Sequence, residues 1–179
     1  MKTKSSGLLK STRRPRSAAR CLAVQALFNM SVTGASLGDT LKAFDAHKVS
    51  VQAFHEEDQL GKCEQKSRKK TKTSGDLDKA FYKELVTGVT ENVATIARFV
   101  QEALKDTWSI DRLEQVLRVL LYAGTYELLY RPDVPVRVII SEYVELAQDF
   151  CAPEGMKLAN GILDTIAHAA RAQEMASPP

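Results

Sequence analysis

The sequence predicts an all-α fold, a compact bundle of about seven helices, and three observations carry that prediction. Apolar residues recur at three- and four-residue intervals along most of the 179 positions, which puts them on one face of successive helices. No segment sustains the period-two alternation of a half-buried strand. Proline, serine and aspartate stand beside the first periodic positions, where helix starts need them.

The first helix is expected from Arg16 to Met30, with Cys21, Val24, Leu27 and Phe28 on its apolar face. Pro15 suits a first helical turn and pushes Arg14 towards extended geometry. Arg13 and Arg14 therefore belong to an arm, while Arg16 and Arg20 share a helical face. After Ser, Thr and Gly punctuation, Leu37, Leu41 and Phe44 predict a short second helix within residues 31–47. From about His47 to Ser74 the apolar face fades, and this stretch reads as a mobile insertion.

The stripe Leu77, Phe81, Leu85, Val89, Val93, Ile96, Val100 and Leu104 predicts a long helical stretch, divided in two near Gly88 and Thr90. Ser109 precedes the next stripe, Leu113, Val116, Leu117, Leu120 and Leu121, which ends near Arg131 and Pro132. Asp133 as cap and Pro135 in the first turn predict a helix carrying Val136, Ile139, Ile140, Tyr143, Ala147 and Phe150. Its opening VRVII is β-branched enough for a strand, but the capped, periodic context favours helix. Cys151 to Gly155 reads as a turn. The last helix then sets Ala159, Ile162, Leu163, Ile166 and Ala170 opposite Lys157, Asn160 and Asp164.

Composition sets the class: 44% apolar and 26% charged residues are those of one ordinary globular domain. At this length roughly two-thirds of the extended-chain surface is buried on folding. The cysteines Cys21, Cys63 and Cys151 are odd in number and far apart, which fits a reducing compartment rather than a disulfide framework. No apolar run approaches the roughly 20 residues that span a bilayer, and the basic start lacks the apolar core of a signal peptide. A cytoplasmic protein with no membrane partner is expected. The expected organisation is a flexible basic arm at 1–15 and one helical domain at 16–175, interrupted by the insertion at about 47–74.

The net charge of +3 conceals an uneven distribution. Residues 1–20 hold seven Lys/Arg and no acid, and residues 61–72 hold six Lys/Arg and one Glu. The other positions carry 12 basic against 21 acidic residues, a balance of −9. An acidic body with two basic appendages points to a polyanionic partner.

Three motifs then stand in order: RSAARCLAVQALF near the start, FYKELVTGV in the middle, and LRVLLYAGTYELLYRPDVPVRVIISEYVELAQDFCAPEGMKLANGILDTI towards the end. Together they resemble the NusB family of bacterial antitermination and ribosomal-RNA transcription factors. The run from Tyr126 to Asp164 is the most specific part, and the resemblance spans the chain except residues 1–10, roughly 45–74 and the last few. It implies a helical protein of two three-helix subdomains, with neither catalysis nor a cofactor. Its partners would be the boxA element of single-stranded nascent RNA and NusE, a ribosomal small-subunit protein. Loading onto RNA polymerase with the other Nus factors would suppress premature termination, chiefly in ribosomal RNA operons. A homodimer is left open.

Capture of single-stranded RNA requires cations for phosphates and planar or apolar surfaces for unstacked bases. Arg13, Arg14, Arg16 and Arg20 are the candidates for the first, since a guanidinium presents a fork of donors to phosphate oxygens. Phe28 and Phe81 read as core from their spacing, and the resemblance sets them near the RNA and NusE surface. Lys157 and Leu158 match the start of the last helix, where the resemblance implies RNA contacts at an electropositive helix end. Leu158 replaces a Phe often found there, which removes a stacking surface. Glu154, just before, complements the helix dipole, and Tyr122 replaces an Arg common in related sequences. The run Lys62 to Lys72 reads first as a solvated loop, and otherwise as an extension of the RNA footprint.

Enzyme readings find little support. His47, His55 and His168 form no HExxH, and His47, His55 and Cys63 lack zinc-ligand spacing. GxxxxGK[ST], GxGxxG and GxSxG are absent, so neither a phosphate cradle nor a nucleophile elbow is supported by the sequence. No catalytic residue and no metal ligand are assigned. Two competing readings are an accessory domain of the kind fused to ribosomal-RNA methyltransferases, and a helical adaptor that binds no RNA. The first needs a catalytic domain with a cofactor loop, so a standalone factor is expected.

Overall fold

The structure, a computed structural model, describes residues 14–46, 77–104 and 109–176, and every described element is helical. The arm up to Arg13 and the insertion expected at 47–74, with the basic run Lys62 to Lys72, lie outside the described residues.

Helix α1 (Pro15–Thr33) has Pro15 in its first turn and follows an extended Arg14 with φ −61° and ψ 154°. It ends where Gly34 takes φ +73°, a left-handed cap that returns its N–H to Met30 O at 2.9 Å. Ser36 caps α2 (Leu37–Asp45) by accepting from Asp39 N, and Asp78 caps α3 (Lys79–Glu91) by accepting from Phe81 N at 3.0 Å.

The break before α4 (Val93–Leu104) falls at Asn92, not at Gly88 or Thr90. Asn92 donates both its backbone N–H (3.1 Å) and its side-chain amide (2.8 Å) to Gly88 O, closing α3 from beyond the expected point. Gly88 lies within the helix, where the lack of a side chain makes room for the Tyr126 ring, which a Cβ would overlap.

A 3-10 turn, Ile110–Arg112, takes the Ser109 cap, and α5 (Gln115–Tyr130) follows. Helix α6 (Val136–Phe150) is preceded by Pro135, not by Asp133. The Asp133 carboxylate is unavailable as a cap because Arg131 holds it through two hydrogen bonds, at 2.7 and 2.8 Å. The Val136 N–H that begins α6 donates instead to Glu174 Oε1 at 2.7 Å. Helix α7 (Pro153–Ala170) starts inside the stretch read as a turn, with Pro153 as its first residue, and Ala170 at its end is exposed. The short α8 (Ala172–Ala176) closes the described chain.

Packing sorts the helices into an α1–α3 group and an α4–α7 group, with α5 against both. The residues of α5 explain its position. Val119, Leu120, Leu121, Ala123, Tyr126 and Leu128 are all buried, and a helix apolar on every side belongs inside a bundle. One continuous apolar core runs from Leu22 and Leu85 through Leu120 to Ile139 and Leu163. Arg171, between α7 and α8, donates to the carbonyls of Leu128 (2.9 Å), Val134 (2.7 Å) and Arg131, clasping the α5–α6 loop.

Candidate nucleic-acid interface

The arginines near the start of α1 separate into two environments. Arg14 is exposed beside the helix start, while Arg13 lies outside the described residues. The Arg16 side chain is 50% exposed; its Nε lies 3.4 Å from Asp78 Oδ2 and its Nη1 3.9 Å from Asp133 Oδ2.

Arg20 departs from expectation: it is only 2% exposed and presents no cation to solvent. Its Nε donates to Glu127 Oε1 at 2.8 Å and its Nη2 to Glu127 Oε2 at 2.7 Å, a bidentate pair sealed between α1 and α5. Glu142 lies 3.6 Å from Nη1, the Tyr143 hydroxyl donates to Glu127 Oε1 at 2.7 Å, and Ser17 donates to Glu142 at 2.8 Å. Burial alone would lower the Arg20 pKa, but the hydrogen bond and charge of Glu127 outweigh it and raise the value. Burial, reinforced by Glu127, also drives the Tyr143 hydroxyl well above its ordinary range, so Tyr143 remains a donor.

Phe81 lies between these two arginines. Its ring is buried, with the guanidinium carbons of Arg20, Arg131 and Arg16 at 5.0, 5.1 and 5.3 Å from its centroid. The residue is a buried platform for cations, and its ring face is taken by them. Phe28 is half-buried and packs on the core from α1. Arg131 completes the cluster by donating to Glu84 Oε2 at 2.6 Å and gripping Asp133. Those hydrogen bonds raise the Arg131 pKa and pull that of Asp133 down to about 2.

Lys157 and Leu158 sit in the first turns of α7, which packs chiefly on α4, α5 and α6. Lys157 is exposed and Leu158 is half-buried against the core. Glu154 lies in the first turn of α7, where a carboxylate complements the helix dipole. Tyr122 is half-buried and packs on the core. The described geometry therefore joins Arg16, Arg20 and Phe81 in one cluster and leaves Lys157 and Leu158 on a different helix.

Sequence reasoning missed Asp78, Glu84, Glu127, Arg131, Asp133 and Glu142, the partners of that cluster. Glu127 did leave a signal, being an acid inside the apolar stripe of α5, three residues after Gly124 and seven after Leu120. Arg20 left the mirror signal, standing four and seven residues before the buried Val24 and Leu27.

Among the described residues, no group of three or more His, Cys, Asp or Glu side chains is placed to hold a metal ion. No described helix is long and apolar enough to cross a membrane. Burial holds the Cys151 thiol up at about 11, with Glu114 adding to it, so it stays protonated at neutral pH.

Fold and site together define a class of helical bundle with exposed arginines at the entry to its first helix and a sealed ion pair behind them. The NusB family model matches residues 17–168, and the chain belongs to the NusB family. It is 36% identical to the transcription antitermination protein NusB of Nitrobacter hamburgensis, over 90% of this chain and 91% of the relative. The solved NusB of T. maritima superposes with a TM-score of 0.66 at 25% identity, over 92% of this chain and 99% of that one. A solved complex of antitermination factors NusB and NusE with double-stranded RNA contains a chain of the same fold, with a TM-score of 0.63 at 20% identity, over 87% of this chain and 98% of that one.

Proposed function

We propose that this protein is a non-catalytic transcription antitermination factor of the cytoplasm that binds boxA-type single-stranded RNA together with NusE. It joins RNA polymerase and the other Nus factors and prevents premature termination, chiefly in ribosomal RNA operons. The observation that carries the reading is the family match across residues 17–168. The exposed Arg14 and half-exposed Arg16, which follow a start rich in lysine and arginine, support it chemically.

In this reading Arg13, Arg14 and Arg16 take phosphates, Lys157 adds charge from α7, and Leu158 and Phe28 offer apolar contact. Phe81 serves indirectly, by seating Arg16. Arg20 is withdrawn from the phosphate-binding set, because its donors are spent on Glu127 inside the protein. If three phosphates were neutralised, the log-log salt slope would be roughly −2 for a single strand.

The test is titration of a boxA-type RNA oligonucleotide at several salt concentrations, with and without NusE. Binding that tightens with NusE and weakens with salt is expected, because linked sites share the cost of capturing one strand. Binding indifferent to both would reject the reading. Replacing Arg13, Arg14 and Arg16 together weakens RNA binding with helicity retained; unchanged affinity would instead favour an adaptor that does not bind RNA.

A further inference from the structure

Five carboxylates surround three guanidiniums in the Phe81 cluster. Asp78, Glu84, Glu127, Asp133 and Glu142 oppose Arg16, Arg20 and Arg131. An incoming phosphate therefore meets a site whose fixed charges are more acidic than basic, although the exposed Arg14 stands at the start of the same helix.

The two carboxylates nearest Arg16 are anchored by bonds that do not involve it. Asp78 accepts the Phe81 N–H at 3.0 Å as the cap of α3. Asp133 is gripped at 2.7 and 2.8 Å by Arg131. The loop carrying Asp133 is itself clasped by Arg171 through the Val134 carbonyl at 2.7 Å. Arg16 is bound more loosely, at 3.4 and 3.9 Å, on a half-exposed side chain. Of the three groups, the two acids are the firmly held ones and Arg16 is the loosely held one.

We infer that Asp78 and Asp133 form a carboxylate rest for Arg16, which RNA phosphate must empty, and that these two acids set the affinity of the RNA face. The inference builds on the RNA-binding reading and names the residues that tune it. Phosphate and carboxylate are alternative acceptors for the same guanidinium fork, so each contact with an acid is lost when one with RNA is gained. Neutralising either acid removes a competitor and also a like charge facing the phosphate.

The experiment measures affinity for a boxA-type RNA oligonucleotide with the full chain and the variants Asp78→Asn and Asp133→Asn. Each is measured with Arg16 present and in an Arg16→Gln background. Asn keeps a side-chain oxygen at the α3 cap, so Asp78→Asn retains the helix start. Each single substitution is expected to tighten binding about two- to fivefold, the scale of a half-exposed ion pair. That gain should shrink to less than about half in the Arg16→Gln background, as coupled residues behave in a double-mutant cycle.

Equal gains in both backgrounds would assign the effect to the general field of the surface and overturn the inference. Weaker binding by the Asn variants would overturn it in the other direction, making the acids supports that pre-position Arg16. If the unsubstituted protein binds no RNA, the RNA-binding reading fails and the inference with it; binding that the substitutions leave unchanged defeats only the inference.

Discussion

Arg16 and Arg20 are one helical turn apart on α1, lie against the same phenyl ring and are both paired with carboxylates, yet their surroundings differ. Arg20 is 3% exposed at its side chain and meets Glu127 as a bidentate pair; Arg16 is 50% exposed and meets two acids at longer range. The difference teaches that position relative to α5, rather than residue type, decides which arginine is available to a ligand. Inside, removing one partner leaves an uncompensated charge. At the rim, water takes the place of the lost partner.

The comparison breaks most visibly at Glu127. Glu127→Gln leaves the Arg20 charge without its counter-ion and should cost about 3–5 kcal/mol, read as a fall in the midpoint of urea or thermal unfolding. An equal loss from Arg20→Ala would place the whole effect in the pair. Tyr143→Phe preserves the volume and deletes one hydrogen bond to the Glu127 carboxylate. It should cost about 1.5–3 kcal/mol by the same measurement. Arg16→Gln sits at the other extreme and should change stability by about 1 kcal/mol or less. A larger loss would mean that the rim contacts are as tightly made as the sealed ones.

The smallest effect sharpens the rim alone. Asp133 titrates at about 2 in the folded protein against an ordinary value of 3.8, because Arg131 donates to its ionised form. Its folded-state pKa is lowered, so its contribution to stability is present above about pH 4 and lost as pH falls through the folded value. Side-chain carboxyl chemical shifts of Asp133 followed from about pH 5 to about pH 1.5 would report the midpoint. In Arg131→Gln the midpoint should climb back towards the ordinary value.

Much of this molecule was legible in its sequence, and the reasons differ by region. The helices followed from apolar spacing, because a three-to-four-residue recurrence has one physical solution in a buried bundle. Pro15 announced the first helix correctly because its constraint is local to the chain. The boundaries at Asn92 and Pro135 were displaced since each depends on hydrogen bonds that local residue preference does not rank. Asn92 doubles its bonds to Gly88, and Asp133 is drawn away by Arg131.

The candidate interface was less legible. Its cations could be read directly, but the contact of Arg16 with Asp78 joins residues 62 apart and that of Arg20 with Glu127 joins residues 107 apart. Spacing within one helix says which face a residue occupies and not which partner will cover that face. Arg20 was therefore grouped with Arg16, although its spacing to Val24 and Leu27 matched the buried stripe.

The central claim is that Arg16, and not the sealed Arg20, is the α1 arginine that exchanges its acids for RNA phosphate. The most direct measurement is the salt dependence of boxA-type RNA binding by the unsubstituted protein and by Arg16→Gln, with unfolding midpoints recorded for both. The account predicts weaker binding and a log-log salt slope shallower by about 0.7, one phosphate contact on a single strand, while the midpoint stays nearly unchanged. An Arg16→Gln protein with the same affinity and the same slope would contradict it.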